Sequence, residues 1–366
     1  MVGLNSYLFR FKKAVAKRDF ILACIIGITI ILTGTFFGWY NNKVVIHSPS
    51  NIARYTLEPH NKLSFLSNWD GPDYIHIATL GYTSNSYENF FPLYPLLVHL
   101  VNQIISSPLI SALIVSWISI IFAIYFYLKI TKLIFKNMDN YESIRALLFF
   151  VLFPTAIFYF ATFTEGLLAA IALAAIYLAI KKRFYFAALV AMFGSATHIT
   201  GEFVVLLIMM MAWENKHSIK RFISVGIIGS LGLVSYSYYL LEKFNEPFGF
   251  ITAQENHGWV NTSYSHMIST IDLFNIIFII LILLTAVFWW FRKRSFAIYS
   301  LLFLLIPIVG KQFGGFNRYV LMIFPMQFML FGYLRKRTVL YPLVIAIFAI
   351  SWTYFLLQYA GGYIGG

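Results

Sequence analysis

Apolar residues fall in successive blocks from Phe20 to Phe355, with no polar stretch of domain size between them. A helix that crosses a bilayer needs roughly 20 apolar residues, with about 17 to 25 as the usual range. The blocks that meet or approach this length are 20–40, 109–130, 146–161, 165–180, 184–199, 201–213, 221–241, 272–291, 296–309, 319–334 and 339–357. Short blocks suit tilted or partly buried helices in a large bundle. The pattern predicts an all-α polytopic membrane protein of about eleven spans, roughly ten to twelve.

The segment 91–106 has a different pattern, with apolar and polar residues on opposite faces of a helix. Its apolar face consists of Leu96, Leu97, Leu100, Val101, Ile104 and Ile105. Its polar face consists of His99, Asn102, Gln103 and Ser106. This two-faced pattern, entered through Pro92 and Pro95, predicts a helix lying in the membrane interface and not a further span.

Composition supports one integral membrane domain over residues 1–366. The chain is 60% hydrophobic and only 11% charged, against roughly 25% charged residues in soluble domains. Its single cysteine, Cys24, lies inside the first apolar block, so neither a disulfide framework nor a CxxC metal site is predicted. The block 20–40 is too long for a cleaved secretory signal and is expected to be an uncleaved anchor.

The net charge of +13 would suggest a nucleic-acid partner in a soluble protein. With 91–106 treated as interfacial, however, every basic cluster falls on one side of the membrane. The positive-inside rule then makes residues 1–19 a basic cytoplasmic N-terminus. It also predicts two substantial outer loops, 41–108 with interfacial helices and 243–271. The charge therefore reports orientation in the bilayer, and no nucleic-acid partner is expected.

The densest polar cluster of the chain lies in the first outer loop, over residues 68–82. Pro72 suits the start of a helix and Gly81 suits its end, which predicts a short helix over 72–80. Asp73 lies in the first turn of that helix, where an acidic residue complements the helix dipole. Asp70 lies just before the helix and beside Trp69. It is a candidate general base, although it also suits a turn with the following glycine.

Several motifs occur in the same order as in one known family. In the first outer loop they are Trp69-Asp70, Tyr74, Ile77-Ala78 and Gly81-Tyr82, followed by Phe90-Phe91-Pro92-Leu93-Tyr94-Pro95-Leu96. Further along they are Phe153-Pro154-Thr155-Ala156-Ile157-Phe158 with Thr162 and Thr164-Glu165, then Phe250, Ala253-Gln254 and Trp259, then Asn317-Arg318-Tyr319 and Phe324-Pro325. This ordered set resembles the PIG-V-type mannosyltransferases, which have the GT-C glycosyltransferase fold and in eukaryotes add the second mannose of the glycosylphosphatidylinositol anchor.

The resemblance implies transfer of a hexose, mannose above all, from a polyprenyl-phosphate donor to a membrane-associated glycolipid or related acceptor. It implies inversion at the sugar carbon and a reaction on the non-cytoplasmic face. We expect a prokaryotic member of the family, which would lie in the plasma membrane as a multi-pass protein. No cofactor or divalent metal is expected. The eight histidines have no metal-binding spacing, and Asp70 with Asp73 offers too few oxygen ligands for a dedicated site.

Such chemistry needs a carboxylate to accept the acceptor's proton and a cation to stabilise the departing phosphate. Asp70 is the predicted catalytic base. Arg318 is the first candidate for the donor phosphate, with an interfacial anchor beside Tyr319 as the alternative. Lys311 and His198 are further phosphate candidates. His198 stands where the family usually has an arginine, and its alternative role is a bond to Glu202, one helical turn later.

The remaining substrate-binding candidates have weaker signals. They are Trp69, Asp73, His76, Glu165, Gln254, His257 and Trp259. For Glu165 we favour a structural role, because Thr162 to Glu165 fits a capping box at the start of a helix. An acidic residue at the outer end of a span could also face an active cavity.

Two other functions remain open from the sequence. A transporter or lipid flippase would require charged pairs or broken helices near the bilayer midplane, whereas the ionisable residues here cluster at the outer ends of the predicted spans. A non-catalytic subunit of a glycan-assembly complex would keep the fold without the activity, and His198 in place of the arginine favours that alternative.

Overall fold

The computed structural model describes residues 2–44, 61–256, 260 and 264–363. The helices of this part of the chain are α1 (Val2–Val44), α2 (Gly71–Leu80), α3 (Leu93–Ile105), α4 (Pro108–Ile134), α5 (Asn140–Val151), α6 (Glu165–Ile180), α7 (Phe184–Ser195), α8 (Gly201–Lys216), α9 (Ile219–Phe244), α10 (Gly249–Asn256), α11 (Tyr264–Ser269), α12 (Leu273–Trp290), α13 (Arg294–Leu302), α14 (Leu305–Gly310), α15 (Phe316–Tyr319), α16 (Phe324–Leu334) and α17 (Leu340–Gly361). Short 3-10 helices lie at Ser64–Leu66, Asn85–Tyr87, Ala156–Tyr159 and Val320–Met322. The predicted all-α class is confirmed.

Within the described residues, five helices are long and apolar enough to cross a bilayer. They are Ala16–Tyr40 within α1, then α4, α9, α12 and α17. Shorter apolar helices, α3, α6, α7 and the pair α13–α14, accompany them. The protein is therefore a multi-pass membrane protein, and the predicted total of about eleven spans stays a prediction.

The bundle is built around α6, which packs against α4, α7 and α8. Small residues recur along the buried part of α6, among them Gly166, Ala169, Ala172 and Ala175. Small side chains allow the backbones of neighbouring helices to approach closely, which is how helices associate without a hydrophobic driving force in lipid. The first residue of α6, Glu165, is therefore held by a well-packed helix at the centre of the molecule.

Prolines interrupt three of the predicted spans, which are not continuous helices. The predicted span 146–161 is wrong as one helix, because α5 ends at Val151 and a buried irregular segment follows. Pro154 explains this break, since a proline clashes with the carbonyl four residues before it. Pro307 in the same way divides the predicted span 296–309 into α13 and α14. The predicted span 319–334 is regular α-helix only from Phe324, with Pro325 in the first turn of α16.

The helices α2 and α3, in the loop predicted to be outer, agree in local detail with the sequence pattern. Helix α2 begins at Gly71, and Gly81 follows its last residue with a φ of 76°, which a glycine adopts without strain. Helix α3 is amphipathic: Tyr94 and Val98 are buried, whereas Leu96 is 57% exposed. An exposed apolar stripe beside a buried one is the pattern expected of a helix lying in an interface.

Candidate active site

Three charged side chains meet where α6 begins and α17 ends. Arg318 Nη1 donates a hydrogen bond of 2.5 Å to Asp70 Oδ2. Arg318 Nε lies 3.5 Å from Glu165 Oε1. The side chains of Arg318, Asp70 and Glu165 are 11%, 15% and 5% exposed. One guanidinium thus faces two carboxylates in a place that water hardly reaches, where charge interactions are strong.

Asp70 is presented to the arginine by the start of α2. It occupies the N-cap position, yet its side chain makes no capping hydrogen bond to the helix. Its carboxylate is therefore available to Arg318. The preceding residue, Trp69, has a φ of 59°, a left-handed conformation that is costly for a residue with a large side chain. This bend turns the chain into α2 directly at the charged cluster.

Close packing of two loops brings Asp70 near Glu165. A Cβ added at Gly71 would overlap the hydroxyl oxygens of Thr162 and Ser67. The backbone N–H of Thr162 also donates to the carbonyl of Leu66 at 3.0 Å. The loop before α2 and the irregular segment before α6 are thus in direct contact, and glycine at position 71 permits this approach.

Arg318 lies between aromatic rings. It belongs to the four-residue helix α15, which follows Gly315 with its φ of 75°. Its Cζ lies 5.6 Å from the ring centroid of Phe163 and 5.2 Å from that of Tyr319. Its Nη2 donates to the Tyr319 hydroxyl at 3.2 Å. Aromatic faces and two carboxylates fix the plane of the guanidinium, the group best suited to bidentate binding of a phosphate.

Tyr74 of α2 lies beside the same cluster, with its hydroxyl 3.5 Å from Thr164 Oγ1. Burial raises the pKa of the Tyr74 phenol well above its ordinary value, and the charges of Asp70 and Glu165 raise it further. The Tyr74 phenol therefore keeps its proton and lies next to two carboxylates.

Some buried polar atoms around the cluster have no hydrogen-bond partner among the described residues. They are Trp69 Nε1, Arg318 Nε, Glu165 Oε2 and Asn317 Oδ1. Because buried polar atoms are nearly always hydrogen-bonded, unpaired ones are available to a polar ligand. Two donors and two acceptors of this kind suit a substrate rich in hydroxyl groups.

A cleft of about 800 Å³ lies beside Asn317, between α12 and α17. Asn275 and Asn317 give one part of it a polar lining, whereas Phe274, Ile350 and Phe355 give the rest an apolar lining. Both helices are among the candidate membrane spans. The cleft thus offers apolar and polar surface together next to the residue that precedes Arg318.

Comparison with known proteins identifies the family. A profile described as Mannosyltransferase (PIG-V) matches residues 14–248, more than half of the chain. The chain belongs to this family. The matched range contains Asp70 and Glu165 and ends before Arg318. The resemblance inferred from the ordered motifs is confirmed.

One curated relative of this PIG-V family member is GPI mannosyltransferase 2 of Drosophila pseudoobscura pseudoobscura. It is 30% identical over 115 residues, which is 29% of this chain and 25% of the relative. The similarity therefore spans about a quarter of the length of that protein.

In this PIG-V family member, the two main predicted residues, Asp70 and Arg318, form an ion pair. Their chemical roles stay predictions. The predicted capping box at Glu165 is wrong. The N-cap residue of α6 is Thr164, and it makes no side-chain capping bond. Thr162 instead donates to Leu66 and Ser67, because the packed loops offer those acceptors. Glu165 is thereby left to face Arg318.

The other candidates from the first loop lie around α2. Asp73 is in its first turn, close to Tyr87, whose pKa is raised by burial and then by the charge of Asp73. His76 Nε2 lies 2.8 Å from Thr83 Oγ1, and its ring stacks on Tyr87 at 4.5 Å. These contacts fold the loop against α2, and no ion pair links Asp73 to Arg318 among the described residues.

His198 lies in the turn between α7 and α8, near the charged cluster. Its ring centroid is 5.7 Å from that of Tyr319, the residue that accepts a hydrogen bond from Arg318. The predicted bond from His198 to Glu202 is absent from the described contacts. His198 Nδ1 accepts instead from the N–H of Thr200 at 3.2 Å, and Glu202 accepts from Ser230 at 2.7 Å. The tight turn between the helices brings Thr200 closer than Glu202.

Of the remaining second-rank candidates, Gln254 and Lys311 belong to the described residues. Gln254 is on α10, with no described hydrogen bond to Asp70 or Arg318. The ammonium of Lys311 lies 5.3 Å from the ring centroid of Tyr264. His257 and Trp259 lie outside the described residues.

Two contributors to the site were missed from the sequence. One is Tyr74, which belongs to the ordered motifs but was given no role in the chemistry. The other is Tyr359 near the end of α17, whose hydroxyl lies 3.2 Å from the carbonyl oxygen of Asn68. The available signal was Asn68 itself, a polar residue directly before Trp69, but its partner lies 291 residues away in sequence.

Proposed function

We propose that this protein is a mannosyltransferase that moves a single mannose from a polyprenyl-phosphate donor to a membrane glycolipid or related acceptor. The observation that carries this proposal is Arg318 held between Asp70 and Glu165 in a family of mannosyltransferases. A cation for a phosphate and a carboxylate for a proton are the two groups that such a transfer requires.

In the proposed step, the acceptor hydroxyl oxygen attacks the sugar C1 from the face opposite the phosphate. A new C1–O bond forms, and the C1–O bond to phosphate breaks with its electron pair passing to the phosphate oxygen. The hydroxyl proton goes to the Asp70 carboxylate, and the configuration at C1 inverts. Arg318 stabilises the charge that develops on the departing phosphate.

Asp70 and the donor phosphate compete for the same guanidinium. Arg318 Nη1 is bonded to Asp70 in the free site, and Glu165 remains as a second carboxylate beside Nε. An arriving phosphate replaces Asp70 on one arm of the guanidinium fork, and Asp70 then turns to the acceptor hydroxyl. Arg318 supplies the positive charge for the phosphate, so the proposed step involves no divalent ion or other cofactor.

The proposed orientation follows from the distribution of basic residues. The N-terminus lies in the cytoplasm, and the charged cluster opens on the opposite face. In a prokaryotic host this membrane is the plasma membrane. The mixed apolar and polar cleft beside Asn317 suits the lipid part of a substrate that enters sideways from the bilayer.

The test uses membranes containing the protein, incubated with labelled polyprenyl-phosphate mannose. Wild-type protein is expected to transfer label to a membrane acceptor. Asp70→Asn is expected to lose transfer by roughly a hundredfold or more, because general base catalysis contributes about 10² to 10⁴. The variant should remain folded, since Arg318 keeps its contact with Glu165.

The matched control is Asp139→Asn, the same change at the N-cap of α5. Asparagine caps helices as well as aspartate, so this variant should transfer mannose like the wild type. Full activity of Asp70→Asn would show that Asp70 is not the base. Absence of transfer to any acceptor by the wild-type protein would reject mannosyl transfer and favour the transporter or the non-catalytic subunit.

A further inference from the structure

The last helix of the chain is hydrogen-bonded to the loop that presents Asp70. The Tyr359 hydroxyl oxygen lies 3.2 Å from the carbonyl oxygens of both Leu66 and Asn68, and it accepts from the Asn68 N–H at 3.2 Å. In return, Asn68 Nδ2 donates to the Tyr359 carbonyl at 2.8 Å. The side chain of each residue thus binds the backbone of the other, and both are buried.

The loop needs such support because it contains an unfavourable backbone conformation. Trp69, between Asn68 and Asp70, is in the left-handed region. That conformation is costly for a residue with a large side chain and persists only where the surrounding structure imposes it. Tyr359 contacts the residue before Trp69, so it fixes the backbone from which the Asp70 side chain projects.

Tyr359 is itself fixed by the other side of the site. Its ring packs edge-on against Phe158 and Phe163, with both centroid distances at 5.8 Å. Phe163 is the ring beside the Arg318 guanidinium. Tyr359 therefore contacts the loop that holds Asp70 and the segment that leads to Glu165, and it sets the distance between them.

We propose that Tyr359 is a positioning residue that acts through Asp70, holding this carboxylate where it accepts the proton of the acceptor. This inference rests on the proposed mannosyl transfer. Displacement of a reacting group by about 1 Å can reduce a rate roughly a hundredfold. The described hydrogen bonds of the Tyr359 hydroxyl all join it to backbone atoms of Leu66 and Asn68, so its loss alters position and removes no charge from the site.

Tyr359→Phe is the test variant, and Tyr341→Phe is the matched control. Tyr341 is a buried tyrosine at the other end of α17, and its hydroxyl donates to the Arg145 carbonyl at 2.7 Å. Each change deletes one buried hydroxyl from the same helix. We expect Tyr359→Phe to lower kcat roughly ten- to a hundredfold with the KM of the donor nearly unchanged. Tyr341→Phe should keep the kcat of the wild type, and its melting temperature should be similar to that of Tyr359→Phe.

A double variant separates positioning from general loss of stability. If Tyr359 acts through Asp70, then Tyr359→Phe combined with Asp70→Asn is no slower than Asp70→Asn alone. Independent, multiplying losses would overturn the proposal. A kcat for Tyr359→Phe equal to that of Tyr341→Phe would overturn it as well.

Hydrogen exchange provides a measurement that does not depend on activity. Backbone amides of residues 66–71 should exchange faster in Tyr359→Phe than in the wild type, and at the wild-type rate in Tyr341→Phe. Unchanged exchange in Tyr359→Phe would refute the positioning role. If the wild-type protein transfers no mannose, the proposed function fails, and the exchange rates alone decide whether Tyr359 holds this loop.

Discussion

Glu88 is a buried carboxylate outside the charged cluster. Asp70 and Glu165 share Arg318 as a charge partner. Glu88, just before the motif that begins at Phe90, is only 1% exposed, and its Oε1 has no hydrogen-bond partner among the described residues. Burial, and then the charge of Glu246, raises the pKa of Glu88 to about 7. The charged form of this carboxylate is therefore costly in the folded protein.

The raised pKa of Glu88 predicts how stability depends on pH. The pKa of Glu88 is higher in the folded protein than in the unfolded chain, so folding favours its protonated form. Its contribution to stability is present at acid pH and is lost as the pH rises through about 7. Glu88→Gln is expected to melt at least about 2 °C higher than the wild type at pH 8 and at a similar temperature at pH 5.

Thermal unfolding in detergent between these two pH values checks the prediction. Glu255→Gln is the control, because it makes the same change at an exposed position of neighbouring α10. It should follow the wild type at both pH values. If the melting temperatures of the wild type and of Glu88→Gln depend on pH in the same way, Glu88 is not the titrating group.

At the scale of elements, the site depends on how closely α6 approaches the segment before it. A Cβ at Gly166 would overlap the carbonyl oxygen of Tyr159, which is backbone and cannot rotate away. The Tyr159 side chain is itself anchored, since its hydroxyl donates to the Leu321 carbonyl at 2.9 Å. The start of α6, and with it Glu165, therefore has little freedom to shift.

Gly166→Ala is expected to destabilise the protein by about 1 to 3 kcal/mol, the usual cost of overpacking a close contact. Transfer activity should fall as well, because Glu165 is the adjacent residue. Gly314→Ala is the matched control. A Cβ there would meet only the side chain of Gln312, at 3.7 Å. Melting temperatures and transfer rates of the two variants check the prediction, and equal stability would contradict the close approach at Gly166.

At the scale of the whole molecule, the uneven distribution of basic residues determines the expected orientation. The single Cys24 makes this orientation easy to measure. In a Cys24→Ala background, Asn85→Cys should react with a membrane-impermeant maleimide added outside intact cells. Lys181→Cys should react only after the cells are permeabilised, because it belongs to a basic cluster predicted to be cytoplasmic. Both positions are exposed on the surface of the protein.

The reverse labelling pattern would invert the proposed topology and move the charged cluster to the cytoplasmic face. Labelling of both positions in intact cells would show that the span assignment between them is wrong. Either result would require a different source for the donor, since a lipid-linked sugar must be on the same face as the site.

Features that depend on neighbouring residues follow from the order of amino acids alone. Apolar length and periodicity gave the all-α membrane class, and Pro72 and Gly81 marked the ends of α2. The ordered motifs gave the family. These features were predictable because hydrophobic repeats, proline and glycine act on the backbone within a few residues. The breaks at Pro154 and Pro307 also had a local signal, which was outweighed by the apolar residues around them.

The assembly of the site depends on contacts between distant parts of the chain. Arg318 meets Asp70 across 248 residues of sequence, and Tyr359 meets Asn68 across 291. Glu165 matched a local capping pattern, yet packing gave it Arg318 as its neighbour. Such encounters depend on the arrangement of whole helices, which is set by many small contacts summed over the bundle. No single local pattern in the chain specifies which distant side chains those contacts bring together.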